Sequence, residues 1–294
     1  MDVTILDLPN ELLLSIADAV DDICDLAALV RTTWRLYQVL NDYLYRKDAE
    51  MDGGTALLWA AQTGVLRTAQ LSLAQEPDIE TTVRFSTPHE LAVSGLFRPL
   101  AMLHESRMTP LQIAVCLGSE AVASLLIESG AQFARPFPRA MDRCSALHVA
   151  SAMGLSSVVR LLVRKGADLE ARDPRHQTPL HYALRRVDDE SLWLRQGVTV
   201  AWLLELGADP EARNLAGVKP RMLAESSPNP MMERVLTKGF RSFVLNIPVF
   251  ELCEMASPMR NQPRNEKMAV IEYGYMDTKK ISSPSMANKI APRP

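Results

Sequence analysis

A heptapeptide that recurs in the middle of the chain decides the fold, and its clearest copy is Thr178-Pro179-Leu180-His181-Tyr182-Ala183-Leu184. Earlier copies begin at Thr55, Thr109 and Ser145. The copies at Ser145 and Thr178 start 33 residues apart, and those at Thr109 and Ser145 start 36 apart. Self-similarity at such a period is the signature of a repeat protein whose units stack on one another.

The residue types of each copy predict a pair of helices. Thr or Ser can cap the first helix, and Pro is tolerated in its first turn. In the third copy, Gly154 can open the turn between the helices, and residues 158–162 carry the apolar side of the second helix. A glycine then ends the second helix of three copies, at Gly130, Gly166 and Gly207.

These copies resemble the ankyrin repeat, whose signature is Thr-Pro-Leu-His-x-Ala at a period of about 33 residues. The resemblance assigns residues 51–236 to about four repeats, with a truncated repeat near 87–108 and a degenerate last unit. Ankyrin repeats bind other proteins along their hairpin tips and first helices. Carried over position by position, this implies target contacts by Met141, Asp142, Cys144, Met153, Arg175, Gln177, Arg185, Arg186 and Val218.

Basic residues gather along the same predicted edge of the array. Arg139, Arg143, Arg172 and Arg175 all fall there. Arginine pairs well with carboxylates and phosphates, so an acidic or phosphorylated target is one hypothesis. The alternative is a solvated edge that binds nothing through its charge.

The first fifty residues predict three short amphipathic helices. They resemble an F-box in the opening Leu8-Pro9-x-Glu11 and in the run Arg31-Thr32-x-x-Arg35-Leu36-Tyr37. F-boxes dock on a Skp-type adaptor of cullin-based SCF ubiquitin ligases. The resemblance implies adaptor contacts by Leu8, Pro9, Leu12, Ile16, Leu26, Leu29 and Leu36. The alternative for each leucine is a place in the core of the bundle itself.

The predicted fold class is therefore all-α: an F-box over residues 1–50, the ankyrin array over 51–236, and two further segments. Residues 237–256 are apolar enough to form a C-terminal cap. Residues 257–294 are rich in Pro, Ser, Asn and Lys without periodicity, which predicts a disordered tail.

Composition limits the partners. With 32 Lys+Arg against 35 Asp+Glu, the net charge is −3, which disfavours a general nucleic-acid binder. No stretch approaches the roughly 20 apolar residues of a membrane span, so no membrane partner is predicted. Four scattered cysteines suit a reducing compartment, and we expect a cytoplasmic or nuclear protein.

Nothing in the sequence predicts an enzyme, a cofactor or a metal site. The phosphate-loop, dinucleotide and nucleophile-elbow motifs do not occur. Cys144, His148 and His181 could in principle form a thiol or zinc site, but both histidines occupy the repeat position where imidazole bonds the neighbouring loop. Together, the F-box and ankyrin resemblances imply the substrate receptor of an SCF-type ligase. The alternative is an ankyrin scaffold whose first fifty residues only cap the stack.

Overall fold

The computed structural model describes residues 5–52, 54–84, 107–138, 143–185, 192–229 and 231–236. Residues 5–7 form a 3-10 turn before the first helix, and residues 231–236 form a helical segment after the last. The α-helices between them are α1 (Asn10–Asp18), α2 (Ile23–Val30), α3 (Trp34–Asp52), α4 (Thr55–Thr63), α5 (Leu66–Leu73), α6 (Pro110–Cys116), α7 (Glu120–Glu128), α8 (Ala146–Ala152), α9 (Ser156–Arg164), α10 (Pro179–Ala183), α11 (Trp193–Glu205) and α12 (Pro220–Glu225).

Helices α1 to α3 form a bundle with its own apolar core. The large side chains at the centre of this core are fully buried; they are Leu13, Leu26, Leu36, Leu40, Leu44 and Tyr45. Lys47 of α3 donates from Nζ to the carbonyl oxygen of Val20, and Tyr43 donates to Asp18. A lysine ammonium beside the last carbonyls of α1 is favoured by the helix dipole, so these contacts fix α1 on α3.

The C-terminal half of α3 joins the bundle to the stack. Helix α3 contacts α4 and α5, and Ala56 of α4 belongs to the bundle core. The Asp48 carboxylate is buried and accepts the backbone N–H of Ala56 at 3.0 Å, and it also accepts the hydroxyl of Thr55. Because the N-cap position of α4 is Gly54, which has no side chain, Asp48 supplies the cap from the preceding helix.

From α4 onward, helices stack in two layers. The first helices of successive units are in contact in the order α4, α6, α8, α10, α12, and the second helices in the order α5, α7, α9, α11. Thr109 shows why each first helix begins where it does: its hydroxyl oxygen accepts the Gln112 N–H at 3.3 Å, and Pro110 occupies the first helical position.

A carboxylate clamp ties three consecutive second helices together. Glu120 in α7 accepts the backbone N–H of Ser157 in α9 at 3.0 Å through Oε1. Its other oxygen, Oε2, pairs with Nη2 of Arg195 in α11 at 3.4 Å. The clamp therefore lies across three layers of the stack rather than within one repeat.

One two-residue ladder departs from the all-α prediction, which is otherwise confirmed for the described ranges. Strands β1 (Val83–Arg84) and β2 (Arg107–Met108) pair antiparallel, with Val83 opposite Met108. The predicted truncated repeat near 87–108 lies outside the described residues except for β2 itself. Helix α6 packs directly on α4, so residues 55–73 and 110–128 form neighbouring layers of the stack.

The last described unit exposes a charged pair beside the apolar side chain of Met222. In α12, Pro220 and Ala224 are buried toward the stack, whereas Arg221 and Glu225 pair with each other on the outer side at 3.5 Å. The role of the degenerate last copy as the cap of the solenoid stays a prediction. The predicted cap at 237–256 and tail at 257–294 lie outside the described residues.

Candidate partner-binding surfaces

The three hairpins before α8, α10 and α12 are each closed by the same kind of backbone bond. Asp173 N donates to Gln177 O at 3.1 Å, and Asn214 N donates to Val218 O at 3.1 Å. In the longer hairpin before α8, Phe137 N donates to Cys144 O at 2.9 Å. The three hairpins are therefore closed in the same way.

Asp173 is the polar centre of its hairpin. Its carboxylate is buried, and Oδ1 accepts the backbone N–H groups of Arg175 and Gln177 at 2.9 and 2.7 Å. Oδ2 accepts the hydroxyl of Tyr182 in α10 at 2.9 Å. Burial raises the pKa of the Tyr182 phenol, which therefore stays protonated and can donate this bond.

Two buried histidines, one in α8 and one in α10, each bind the first helix of a repeat to the hairpin that follows that repeat. His148 Nδ1 accepts the Ser145 N–H at 3.2 Å, and its Nε2 donates to the carbonyl oxygen of Gln177 at 3.0 Å. His181 repeats the arrangement with Thr178 N–H at 3.1 Å and the Val218 carbonyl at 3.1 Å. In the second repeat Gln112 replaces histidine: its Oε1 accepts the Thr109 N–H and its Nε2 donates to Pro136 O at 3.1 Å.

Burial lowers the pKa of His148 and His181, although the backbone bonds through Nε2 partly oppose this shift. Protonation at Nδ1 would also replace an acceptor with a donor that faces a backbone N–H. The arrangement therefore requires neutral imidazoles.

We expect the stack to lose stability as the pH falls below about 6.5, where the unfolded histidines take up protons that the folded ones do not. This contribution is fully present above that pH, because the folded-state pKa values are the lower ones. Urea denaturation at pH 7.5 and 5.5 measures the loss. The double variant His148→Gln/His181→Gln repeats the arrangement seen at Gln112. Its free energy of unfolding should fall less between these two pH values than that of the wild type. An equal loss in both proteins would contradict the assignment.

Residues 137–214 match the family model of ankyrin repeats, in three copies. These residues form ankyrin repeats. No curated protein matches the chain. No F-box model matches it either, so the F-box resemblance of residues 1–50 stays a prediction. Ankyrin repeats support a role in protein–protein interaction.

The exposed edge of the ankyrin repeats is formed by the hairpin tips. Arg175 is exposed there, and Gln177 and Val218 are half-buried. At the ends of first helices, Arg185 after α10 is exposed and Met153 after α8 is half-buried. The Arg185 guanidinium lies over the Tyr182 ring, 5.1 Å from its centroid. Three further predicted target contacts lie outside the described residues: Met141, Asp142 and Arg186.

The prediction that Cys144 contacts a target is wrong. Its side chain is 1% exposed, because the bond from Phe137 N closes the hairpin around it. The thiol lies in the apolar core beside that of Cys116, whose pKa is raised by burial. No group of three or more potential metal ligands occurs among the residues that the structure describes.

The bundle exposes apolar side chains on the side of α1. Leu12 is 50% exposed and Pro9 is exposed, while Leu8, Ile16 and Leu29 are half-buried. Arg35 of α3 donates from Nη2 to Leu8 O at 2.8 Å, which holds the chain before α1 against α3. A shallow groove between α1 and α3 is lined by Asn10, Leu14, Arg35, Gln38 and Val39.

The predicted adaptor contacts of Leu26 and Leu36 are wrong for this conformation. Both side chains are fully buried in the bundle core and stabilise the bundle rather than meet a partner. Sequence reasoning in turn missed Trp34, which is 57% exposed and stacks on Tyr37 with ring centroids 5.2 Å apart. The sequence did carry a signal for this exposed residue, namely an aromatic side chain at the very start of the third predicted helix. No helix within the described part of the chain is long and apolar enough to cross a membrane.

Proposed function

We propose that the protein is a substrate receptor of an SCF-type cullin ubiquitin ligase. In this proposal the bundle of residues 1–50 binds a Skp-type adaptor, and the ankyrin repeats bind the target protein. In this proposal the chain itself catalyses no reaction. The proposal needs two surfaces on one chain, because holding both partners together raises the effective concentration of the target at the ligase.

The observation that carries this proposal is the exposed apolar side of a bundle whose core is already complete. Leu13 is fully buried, yet its neighbour Leu12 is half exposed, and Pro9 and Trp34 are exposed as well. Several exposed large apolar side chains on so small a unit are typical of a binding surface.

The geometry of α3 supports simultaneous use of both surfaces. The exposed Trp34 lies at the start of α3, whereas Asp48 lies near its end and caps the first helix of the stack. A partner on α1 therefore does not compete with the stack for the same part of α3.

A second candidate function is a protein–protein interaction scaffold without any ligase role. The packing of α3 on α4 and α5, with the cap from Asp48, favours it: the bundle covers an end of the stack that would otherwise expose apolar surface. In that case the bundle needs no partner.

Co-purification of the full chain with a Skp-type adaptor separates the two functions. We expect Leu12→Asp to weaken adaptor binding about tenfold or more, because a charge would enter the apolar contact. Met222→Asp is the matched control, since Met222 is 51% exposed but lies on the last unit of the stack. If the folded wild-type chain does not bind the adaptor, the ligase role is refuted and the scaffold function remains.

A further inference from the structure

Two residues at equivalent hairpin tips hold a left-handed backbone without being glycine. Arg143 has φ 51° and His176 has φ 57°. Each immediately precedes the residue whose carbonyl closes its hairpin, namely Cys144 or Gln177. In the next hairpin this position is Gly217, with φ 74°.

Glycine is the residue that this position favours. Side chains with a Cβ are strained at positive φ, and glycine is not. The hydrogen bond beneath the tip does not depend on the side chain: His176 N donates to Asp173 O at 2.8 Å, and Gly217 N donates to Asn214 O at 2.9 Å. Arg143 and His176 therefore occupy positions at which the backbone conformation favours glycine.

Neither side chain offsets this strain by a polar contact with the part of the chain that the structure describes. Both are exposed, and within the described ranges neither the Arg143 guanidinium nor the His176 imidazole makes a hydrogen bond or ion pair. Strained side chains that do not stabilise the fold point to a contact outside it.

The charge around the His176 tip favours an acidic partner. Arg172, Arg175 and Arg213 are exposed on the neighbouring hairpin residues. The acidic residue nearest in sequence to His176 is Asp173, which is buried and accepts three hydrogen bonds from its own repeat. The acidic side chains at the hairpin bases, such as Asp168 and Glu170, accept backbone N–H groups there.

The third tip adds an apolar element. Leu215 is 66% exposed at the position that Pro174 occupies in the preceding hairpin, and its N–H donates to Arg175 O at 3.0 Å. The two hairpins are thus held side by side, with the basic and apolar tips in neighbouring layers.

We propose that Arg143 and His176 determine partner specificity by receiving carboxylates of an extended acidic segment of the target protein. Neighbouring layers lie about 10 Å apart, and an extended chain rises about 3.3 Å per residue. Acidic residues about two to four positions apart would therefore reach both tips. An apolar residue beyond them would meet Leu215. This inference rests on the proposed role of the ankyrin repeats in target binding, and it deepens that role.

The test pans a phage library of random 12-residue peptides against the full-length protein and measures the binding of synthetic versions of the selected peptides. We expect the selected peptides to be enriched in Asp and Glu at these spacings. The variant Arg143→Gly/His176→Gly should bind them about tenfold or more weakly. It should also unfold at a temperature about 2–4 °C higher, because the strain is removed.

Glu76→Gly is the matched control. Glu76 also has a left-handed backbone, with φ 52°, but it follows α5 and lies on no aligned hairpin tip. We expect this variant to unfold at a higher temperature and to bind the peptides as the wild type does.

A panning that returns no acidic peptides, or equal binding by the double glycine variant, overturns the inference. A lower unfolding temperature in that variant overturns it too, since the side chains would then stabilise the fold. Adaptor co-purification uses the α1 side of the bundle and gives an independent result. If the protein binds the adaptor but the panning selects no acidic peptides, this inference is refuted and the proposed ligase role is not.

Discussion

Asp173→Ala is expected to lower the free energy of unfolding by about 3 kcal/mol, because three hydrogen bonds to a buried carboxylate would be lost together. The Tyr182 hydroxyl and the backbone N–H groups of Arg175 and Gln177 would lose their acceptor. Tyr182 is itself buried, so its hydroxyl could not simply turn to water. Urea denaturation followed by circular dichroism measures the change.

The chain offers its own control for this prediction. Asn214 occupies the equivalent position and accepts the N–H groups of Ala216 and Val218 through Oδ1 at 3.0 and 2.9 Å. Asp173→Asn should therefore cost less than about 1 kcal/mol, since an amide oxygen can hold the same turn. Equal losses in the alanine and asparagine variants would show that the charge, not the hydrogen-bond geometry, holds this hairpin.

Asp48→Ala should also cost about 3 kcal/mol, through a different mechanism. The Asp48 carboxylate caps α4 from the end of α3, so its removal leaves the Ala56 N–H and the Thr55 hydroxyl without their acceptor at a buried junction. Urea denaturation at neutral pH measures the loss.

Asp42→Ala is the matched control for Asp48, since Asp42 is an exposed carboxylate on the same helix. We expect it to change stability by less than about 0.5 kcal/mol. If Asp48→Ala were equally mild, the bundle and the stack would be held by apolar contacts alone, and the capping role of Asp48 would be refuted.

The helix pairs could be predicted from the sequence because their signals are local. Thr109 with Pro110, and the histidines three places after Ser145 and Thr178, specify the helix starts through contacts within one turn. The residues that join one unit to the next needed the structure. Strand pairing between Val83 and Met108 connects positions 25 residues apart, and the sequence of neither short segment predicts it.

The candidate surfaces were predictable only in part, for two physical reasons. In α1, Leu12 and Leu13 are consecutive leucines, and composition alone could not tell that Leu13 enters the core while Leu12 stays half exposed. Cys144 sits in a predicted loop, yet closure of the hairpin buries it. The strain at Arg143 and His176 is a property of the backbone, which a side-chain pattern does not reveal.

The pairing of β1 with β2 has a practical consequence for protein engineering. Arg84 and Arg107, which flank residues 85–106 in the sequence, are partners in the ladder. The flanking layers pack on each other directly through α4 and α6. A foreign sequence whose own ends lie close together could therefore be inserted between Arg84 and Arg107, because the ladder holds these two residues together. We expect this position to accept a fluorescent protein or an affinity tag, and so to provide an internal label far from both termini.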